Sequence, residues 1–247
     1  MDRSPEELYP VVAVPESLVT RVAGLFDHLT PWEGEVPAGR SRNFLGALLP
    51  YVAKSDLPPG ALVPLKTRRP EVRDGEGLAE YYASLRAIEG ARERFTMISL
   101  GAHFGGQLVN TAFMLRQMKP LPTRLIGVEA NPFMCGQLHA HFAENGFRPD
   151  DYVVVNAAIG ADNRPMLFTV CNARTGAARA FHDGNRPDEV ANIIEQAGQS
   201  ARVLRRVLTE MSTDFEMSLN DGDLTGRLDI VSTLTIADTI DPHDWVD

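Results

Sequence analysis

Residues 95–106 read FTMISLGAHFGG, a short apolar run followed by a turn that contains three glycines. The apolar run, Phe95 to Leu100, predicts a buried strand because it has a strand's length and composition and is bounded by a turn. A helical pattern follows, with Leu108, Ala112 and Leu115 on one face. This stretch therefore predicts a strand, a turn and a helix, the opening of an α/β domain.

The following residues repeat that order. A second buried strand is predicted at Arg124–Glu129. Asn131 can cap the helix after it, and Pro132 would take the first helical position, where a missing N–H costs nothing. That helix would end at Gly146, a residue suited to a left-handed C-cap, and a third strand is predicted at Tyr152–Asn156. The alternation predicts a Rossmann-like α/β fold with a parallel sheet and right-handed crossovers.

The chain divides in sequence into a helical, loop-rich N-terminal extension, residues 1–93, and a Rossmann-like domain, residues 94–247. In the extension, apolar residues recur at helical spacing at Leu18–Leu29, Phe44–Val52 and Glu76–Arg92. Beyond Gly160 the pattern predicts a strand at Met166–Val170, an exposed loop at Cys171–Arg186, a helix at Pro187–Ala197 and a strand at Val231–Ile236.

Composition narrows the range of partners. The 247 residues carry a formal net charge of −9, which argues against a nucleic-acid or anionic-membrane surface. Cys135 and Cys171 are far apart and predict neither a disulfide framework nor a zinc site. The N-terminus does not resemble a secretory signal, and no apolar run approaches the roughly 20 residues that span a bilayer. We expect a cytoplasmic protein without a structural metal.

The candidate ligand site lies where the first two strands end. Ligands of open α/β sheets bind beyond the carboxyl ends of the strands. Gly101 permits a tight turn, and Gly105 and Gly106 open the next helix at its N–H-rich end. Glu129 ends the second strand and could accept both hydroxyls of an adenosine ribose. The alternatives are that the glycines only make a turn and that Glu129 is a helix-entry charge beside Asn131.

Two adenosine-containing cofactors fit this arrangement. A dinucleotide site prefers G-x-G-x-x-G, whose backbone receives a pyrophosphate at the helix N-terminus. Here His103 stands at the central glycine position of that fingerprint. S-adenosylmethionine carries no phosphate and tolerates the looser turn, so the sequence favours S-adenosylmethionine over NAD. His103 is also a weak candidate for a general base, although backbone geometry is the other reason for a residue at this position.

Four stretches together resemble the FkbM-type methyltransferases. They are FTMISLGAHFG at 95–105, IGVEANP at 126–132, ENG at 144–146 and NAAIG at 156–160. The resemblance covers roughly residues 76–170. It implies a class I methyltransferase fold and S-adenosylmethionine-dependent O-methylation of a hydroxyl on a sugar or a natural-product-like small molecule. Such a small-molecule or saccharide acceptor is therefore the expected partner.

The resemblance also implies roles for individual residues. By that resemblance, Gly101, Ala102, His103 and Gly105 would line the methionine end of the cofactor, Glu129 would hold the ribose, and Asn156 and Ala157 would lie near the adenine. Ala130 and Ser99 complete the expected cofactor-binding set. Ser99 stands where the family usually has an acid, which weakens one polar anchor.

The resemblance weakens toward the C-terminus. Residues 232–240 are similar to the segment that precedes the fourth main strand, and that strand would begin at Trp245-Val246-Asp247, where the sequence stops. We therefore expect a domain that is incomplete at its C-terminus. A non-catalytic cofactor-binding module or partner subunit is one alternative, an NAD-dependent oxidoreductase is a less favoured one, and an open sheet edge would favour a homo-oligomer. His139 and His141 point to different sides of their helix and are interpreted as ordinary helix residues.

Overall fold

A computed structural model describes residues 20, 23–58, 60–70, 76–163, 166–171, 178–180 and 226–239. They divide into two compact units. The first contains residues up to 95 together with 109–122, and the second contains residues 96–108 together with those from 123 onward. Each unit has its own buried residues, and the candidate ligand site lies in the second.

The first unit contains an antiparallel strand pair that the sequence analysis did not predict. Strand β1 (Glu33–Pro37) pairs with β2 (Leu62–Lys66), with Glu33 opposite Lys66. Both strands lie within the extension that was predicted to be helical and loop-rich. Pro64 fits a two-stranded sheet because proline, which lacks an N–H, is tolerated on edge strands.

One predicted helix of this unit is wrong and another is confirmed. Residues 44–52 are not helical, because Gly46 has a φ of 92° and Arg42 forms a β-bridge with Leu48. Helix α1 (Glu76–Gly90) does form and buries Leu85 and Ile88. Of the predicted N-terminal helix, residues 23–26 are helical, and most of residues 18–22 lie outside the described residues. The unit's other buried apolar residues include Phe26, Leu29, Val36, Phe44, Leu45 and Ala47.

The predicted strand and helix order is confirmed between residues 95 and 155. The elements are β3 (Phe95–Leu100), α2 (Gly106–Met118), β4 (Thr123–Val128), α3 (Pro132–Glu144) and β5 (Tyr152–Val155). The three strands form one parallel sheet in the order β3-β4-β5, with Leu125 opposite Tyr152 and Val128 opposite Val155. The carboxyl ends of the three strands therefore lie along one edge.

The ends of α3 agree with the signals in the sequence. The Asn131 side chain accepts a hydrogen bond from the Phe133 backbone N–H at 2.9 Å, and Pro132 occupies the first turn. Gly146 has a φ of 77°, the left-handed conformation expected after the last helical residue. A short 3₁₀ turn, Pro149–Asp151, then leads into β5.

The predictions beyond β5 are partly wrong. Strand β6 (Ala158–Ile159) pairs in parallel with β10 (Thr233–Leu234), and β7 (Met166–Cys171) pairs antiparallel with β8 (Ala178–Ala180) and β9 (Gly226–Val231). Strand β8 lies inside the segment predicted to be a loop. The helix predicted at 187–197 and the end of the chain at 240–247 lie outside the described residues.

The strand predicted at Val231–Ile236 is divided in the structure. Strand β9 ends at Val231, β10 follows, and Ile236 begins the short helix α4 (Ile236–Thr239). A reciprocal cap causes this change: the Thr235 hydroxyl accepts the Asp238 N–H at 3.2 Å, and the Asp238 carboxylate accepts the Thr235 N–H at 3.1 Å. The Thr235 hydroxyl also donates to the Asp238 carboxylate, and this bond, with the one from the Thr235 N–H, holds the pKa of Asp238 below its usual range.

The sheet packs on its two faces with different partners. Leu138 of α3 lies over Gly127 of β4, where a Cβ would come within 2.7 Å of a Leu138 methyl group. On the opposite face, Ile126 and Val128 pack with Ala157. Partly buried apolar residues complete that face: Ile98, Val153, Val155, Ile159 and Leu234. Gly127 therefore allows α3 to approach the sheet closely, beneath the edge that holds the candidate site.

Candidate functional site

The turn between β3 and α2, residues 101–106, is called the site turn. Its backbone is left-handed at alternate residues, with φ values of 74° at Gly101, 52° at His103 and 78° at Gly105. Among the described residues His103 is the one non-glycine residue with a positive φ. A positive φ is uncommon outside glycine, and histidine is one of the residue types that adopt it more often.

The start of the site turn is fixed to the neighbouring strand. The N–H groups of Gly101 and Ala102 both donate to the Val128 carbonyl, at 2.8 and 2.9 Å. The Gly105 N–H closes the turn onto the Ala102 carbonyl at 2.7 Å. A Cβ at Gly105 would lie 2.0 Å from a Leu138 methyl group, so the turn also packs directly on α3. The glycine at 105 is therefore required by both space and backbone conformation.

Glu129 joins the site turn to the beginning of α3. Its side chain is buried, with 6% exposed. One carboxylate oxygen accepts the His103 N–H and the other accepts the Asn131 N–H, both at 2.8 Å. The bond to Asn131 corresponds to the helix-entry alternative, but the bond to His103 does not. Glu129 therefore acts as a bridge between two strand ends.

The Glu129 carboxylate has more acceptor positions than its two backbone bonds use. Two carboxylate oxygens offer about four lone-pair directions, and the two backbone N–H donors use two of them. Charge-assisted bonds of this kind are among the stronger hydrogen bonds in proteins. Two further donors, such as the vicinal hydroxyls of a ribose, could therefore be accepted while both backbone bonds remain.

Asn156 joins the end of β5 to the same place. Its side-chain NH₂ donates to the Glu129 carbonyl at 2.9 Å and to the Ala130 carbonyl at 3.0 Å. Asn156 is exposed, whereas Ala130 and Ala157 are buried. The structure thus brings Asn156 and Ala130 together with Glu129, and Ala157 follows within the packed face of the sheet.

Cys135 is a part of this site that sequence reasoning missed. Its thiol donates to the Glu129 carbonyl at 3.3 Å from the first turns of α3. Burial, reinforced by the Glu129 charge, raises the pKa of the Cys135 thiol to about 11. The thiol is therefore protonated near neutral pH and acts as a small buried donor rather than as a nucleophile.

Ser99 is less integrated than the other predicted residues. It is half-buried near the end of β3, and among the described residues its side chain makes no hydrogen bond to Glu129 or to the site turn. Leu100, which follows it, is 46% exposed. The structure therefore leaves Ser99 beside the site without a demonstrated contact to it.

The site turn contains one histidine, His103, and contacts a second one, His141 of α3. The His103 ring meets the Phe104 ring edge-on, with centroids 5.0 Å apart, and the Phe104 ring meets that of His141 at 5.5 Å. Nδ1 of His141 lies 2.9 Å from the Phe104 carbonyl oxygen. The sequence analysis treated His141 as an ordinary helix residue. His141 follows Leu138 by three residues, so both lie on one face of α3. That spacing was the sequence signal that His141 could contact the same part of the sheet edge as Leu138.

No group of three or more His, Cys, Asp or Glu side chains among the described residues could hold a metal ion. In the same part of the chain, no helix is both long and apolar enough to cross a membrane. Comparison of the chain with protein-family models, curated proteins and solved structures found no significant match.

Proposed function

We propose that this chain binds S-adenosylmethionine and transfers its methyl group to a hydroxyl oxygen of a sugar or a natural-product-like small molecule, as a Rossmann-like class I methyltransferase. The observation that carries the proposal is the Glu129 carboxylate, buried at the carboxyl edge of a parallel sheet and bonded to the His103 and Asn131 N–H groups. An acid at this position suits an adenosine ribose.

The residues present fit this cofactor better than they fit a dinucleotide. Gly101 and Gly105 bring bare backbone to the end of β3. His103 adopts the conformation of a glycine yet carries an imidazole where the dinucleotide fingerprint needs an empty position for pyrophosphate. S-adenosylmethionine has the ribose hydroxyls and lacks the phosphates, so this turn favours it over NAD.

The proposed roles of the chain's residues are in binding and positioning. Glu129 holds the ribose hydroxyls, the backbone of Gly101 and Ala102 faces the methionine end, and Asn156 and Ala130 lie on the adenine side. When bound, S-adenosylmethionine supplies an electrophilic methyl group. His103 is the candidate to accept the acceptor hydroxyl's proton as its oxygen attacks. Most of the rate enhancement would come from alignment of the two reactants.

Calorimetric titration of the purified chain with S-adenosylmethionine tests the proposal. We expect binding in the micromolar range and no binding of NAD at the same concentrations. Glu129→Gln should weaken S-adenosylmethionine binding about 10- to 100-fold, because it removes a charged acceptor worth roughly 1.5–3 kcal/mol. Glu35→Gln is the matched control, since Glu35 is an exposed glutamate of β1 in the other unit.

The outcomes separate the candidate functions. Tighter binding of NAD than of S-adenosylmethionine would favour an oxidoreductase. A folded wild-type chain that binds neither compound would contradict the proposal. Equal losses in Glu129→Gln and Glu35→Gln would show that binding occurs away from Glu129.

A further inference from the structure

Helix α3 holds the site turn by two contacts that lie one helical turn apart. Leu138 and His141 are both buried, with 0% and 3% exposed, and both face residues 101–106. Leu138 supplies the apolar contact, since its methyl group occupies the space above Gly105 that a Cβ would need. The close packing at Gly105 leaves the turn little room to move toward the helix.

His141 supplies the polar contact. Its Nδ1 is 2.9 Å from the Phe104 carbonyl oxygen. A carbonyl oxygen only accepts hydrogen bonds, so Nδ1 of His141 carries the proton and donates it. The Phe104 ring also packs edge-on against the His141 ring, with an interplanar angle of 69°. Both the backbone and the side chain of Phe104 therefore contact this one histidine.

Glu129 and His141 bond to adjacent residues in the strained part of the turn. Glu129 accepts the N–H of His103, and His141 donates to the carbonyl of the next residue, Phe104. Rotation of the backbone out of the positive φ at His103 would break one or both bonds. A left-handed non-glycine residue is strained, and such strain persists where the surroundings fix it.

We propose that His141 is a positioning residue that holds the site turn in its ligand-receiving conformation. It acts through the Phe104 carbonyl and needs no contact with a ligand. The choice of S-adenosylmethionine as the test ligand rests on the proposed function, whereas the proposed effect of His141 on the turn does not. His139 provides a natural comparison, because it lies two residues away on the same helix, is exposed, and is 3.3 Å from the Tyr152 hydroxyl.

Two measurements on three variants test this proposal. His141→Leu removes the donor and keeps an apolar side chain of similar bulk, and His141→Asn replaces Nδ1 with an amide N–H. His139→Leu is the control. Hydrogen exchange at the His103 and Gly105 amides reports on the turn without any ligand. Calorimetry then measures the affinity of each variant for S-adenosylmethionine.

We expect exchange at the two turn amides to rise about tenfold or more in His141→Leu and S-adenosylmethionine affinity to fall by a similar factor. His141→Asn should restore most of both, and His139→Leu should change neither. Unchanged exchange in His141→Leu would overturn the proposal, as would faster exchange with unchanged affinity. If the wild-type chain does not bind S-adenosylmethionine, the proposed function fails and exchange alone decides the role of His141. If His141→Leu does not fold, the His141→Asn variant decides. Exchange rates and S-adenosylmethionine affinity equal to those of the wild type would then support the proposal. Faster exchange and weaker binding in a folded His141→Asn would overturn it.

Discussion

Two glycine-bearing turns in this molecule are closed by side chains, and they differ in where those side chains come from. In the first, residues 40–49, Asn43 accepts the N–H groups of Leu45 and Ala47, each at 3.0 Å. Arg42 donates to the Gly46 carbonyl at 2.5 Å. These partners are at most four residues apart, so this segment, the Asn43 turn, can close from its own sequence.

The site turn is closed by partners from other elements. Glu129 lies 26 residues from His103, and His141 lies 37 residues from Phe104. Its backbone strain can therefore be maintained only after the sheet and α3 have assembled. The comparison indicates that the Asn43 turn is held by its own sequence, whereas the site turn depends on Glu129 and on the packing of α3 in the second unit.

The largest expected effect comes from filling the space beneath the site turn. Gly105→Ala places a Cβ 2.0 Å from Leu138 at a residue with a φ of 78°. The left-handed backbone and the overpacking together should lower the free energy of unfolding by about 3 kcal/mol, measured by urea denaturation. Gly101→Ala is the control, because its φ is 74° but nothing lies within 4 Å, so about 1 kcal/mol is expected. Equal losses would show that packing on α3 is unimportant.

The second effect uses the Cys135 thiol as a reporter of the site. With a pKa of about 11 instead of 9.0, Cys135 should react with iodoacetamide about 100-fold more slowly at pH 8 than in the urea-unfolded chain, because only the thiolate reacts. The raised pKa also means that this group stabilises the fold fully below pH 9, and that the contribution is lost as the pH rises through 11.

The rate of Cys135 alkylation is measured by mass spectrometry of the Cys135 peptide. Two variants test whether the Glu129 charge contributes to the slow reaction. Glu129→Gln should accelerate the reaction, since it removes the charge that opposes ionisation. Asn43→Ala, in the other turn, should not change it. A native rate equal to the unfolded rate would contradict the burial of this thiol beneath the site.

The smallest effect concerns the Asn43 turn. Asn43→Ala removes the acceptor for two backbone N–H groups and the donor to the Asn110 side-chain oxygen at 2.6 Å. We expect a loss of about 1.5 kcal/mol in the free energy of unfolding, measured by urea denaturation. Asn43→Asp keeps an oxygen that can accept both N–H groups and should recover most of that loss. If the two variants behaved alike, the bond to Asn110 would matter more than the local closure of the turn.

The sequence predicted the parts of the fold that depend on short-range signals. Strand β3, the cap at Asn131 and the left-handed Gly146 were each marked by residue type and position, and the structure has them there. The strand pair β1 and β2 could not be predicted in this way. Its residues meet across the intervening 38–61 segment, only Val36 of β1 is buried, and Pro64 is a poor strand signal.

Other errors came from local hydrogen bonds that compete with the apolar pattern. Apolar spacing at 44–52 suggested a helix, but the Asn43 side chain takes up the N–H groups of Leu45 and Ala47. Similarly, Thr235 and Asp238 form a helix cap that ends the predicted strand before Ile236. Asn43, Thr235 and Asp238 are residue types that commonly cap turns and helices, so the sequence does contain a signal against the helix at 44–52 and the strand at Ile236.

For the site, the sequence predicted residues but not their mutual support. It placed Glu129 beside the site turn, and the two are in contact. It did not predict that Cys135 and His141 of α3 bind the Glu129 and Phe104 carbonyls. Those contacts depend on how α3 packs on the sheet through Gly105 and Gly127, which residue type alone does not reveal.

The positive φ of His103 means that one substitution would give this turn the glycine pattern of a dinucleotide site. The spacing from Gly101 to Gly106 already matches the phosphate-binding fingerprint except at the central position, and the His103 backbone has a positive φ, which glycine adopts without strain. His103→Gly would complete the fingerprint, and the backbone could keep its present conformation. If the chain binds S-adenosylmethionine as proposed, the imidazole ring of His103 is the group that keeps a pyrophosphate out of this turn.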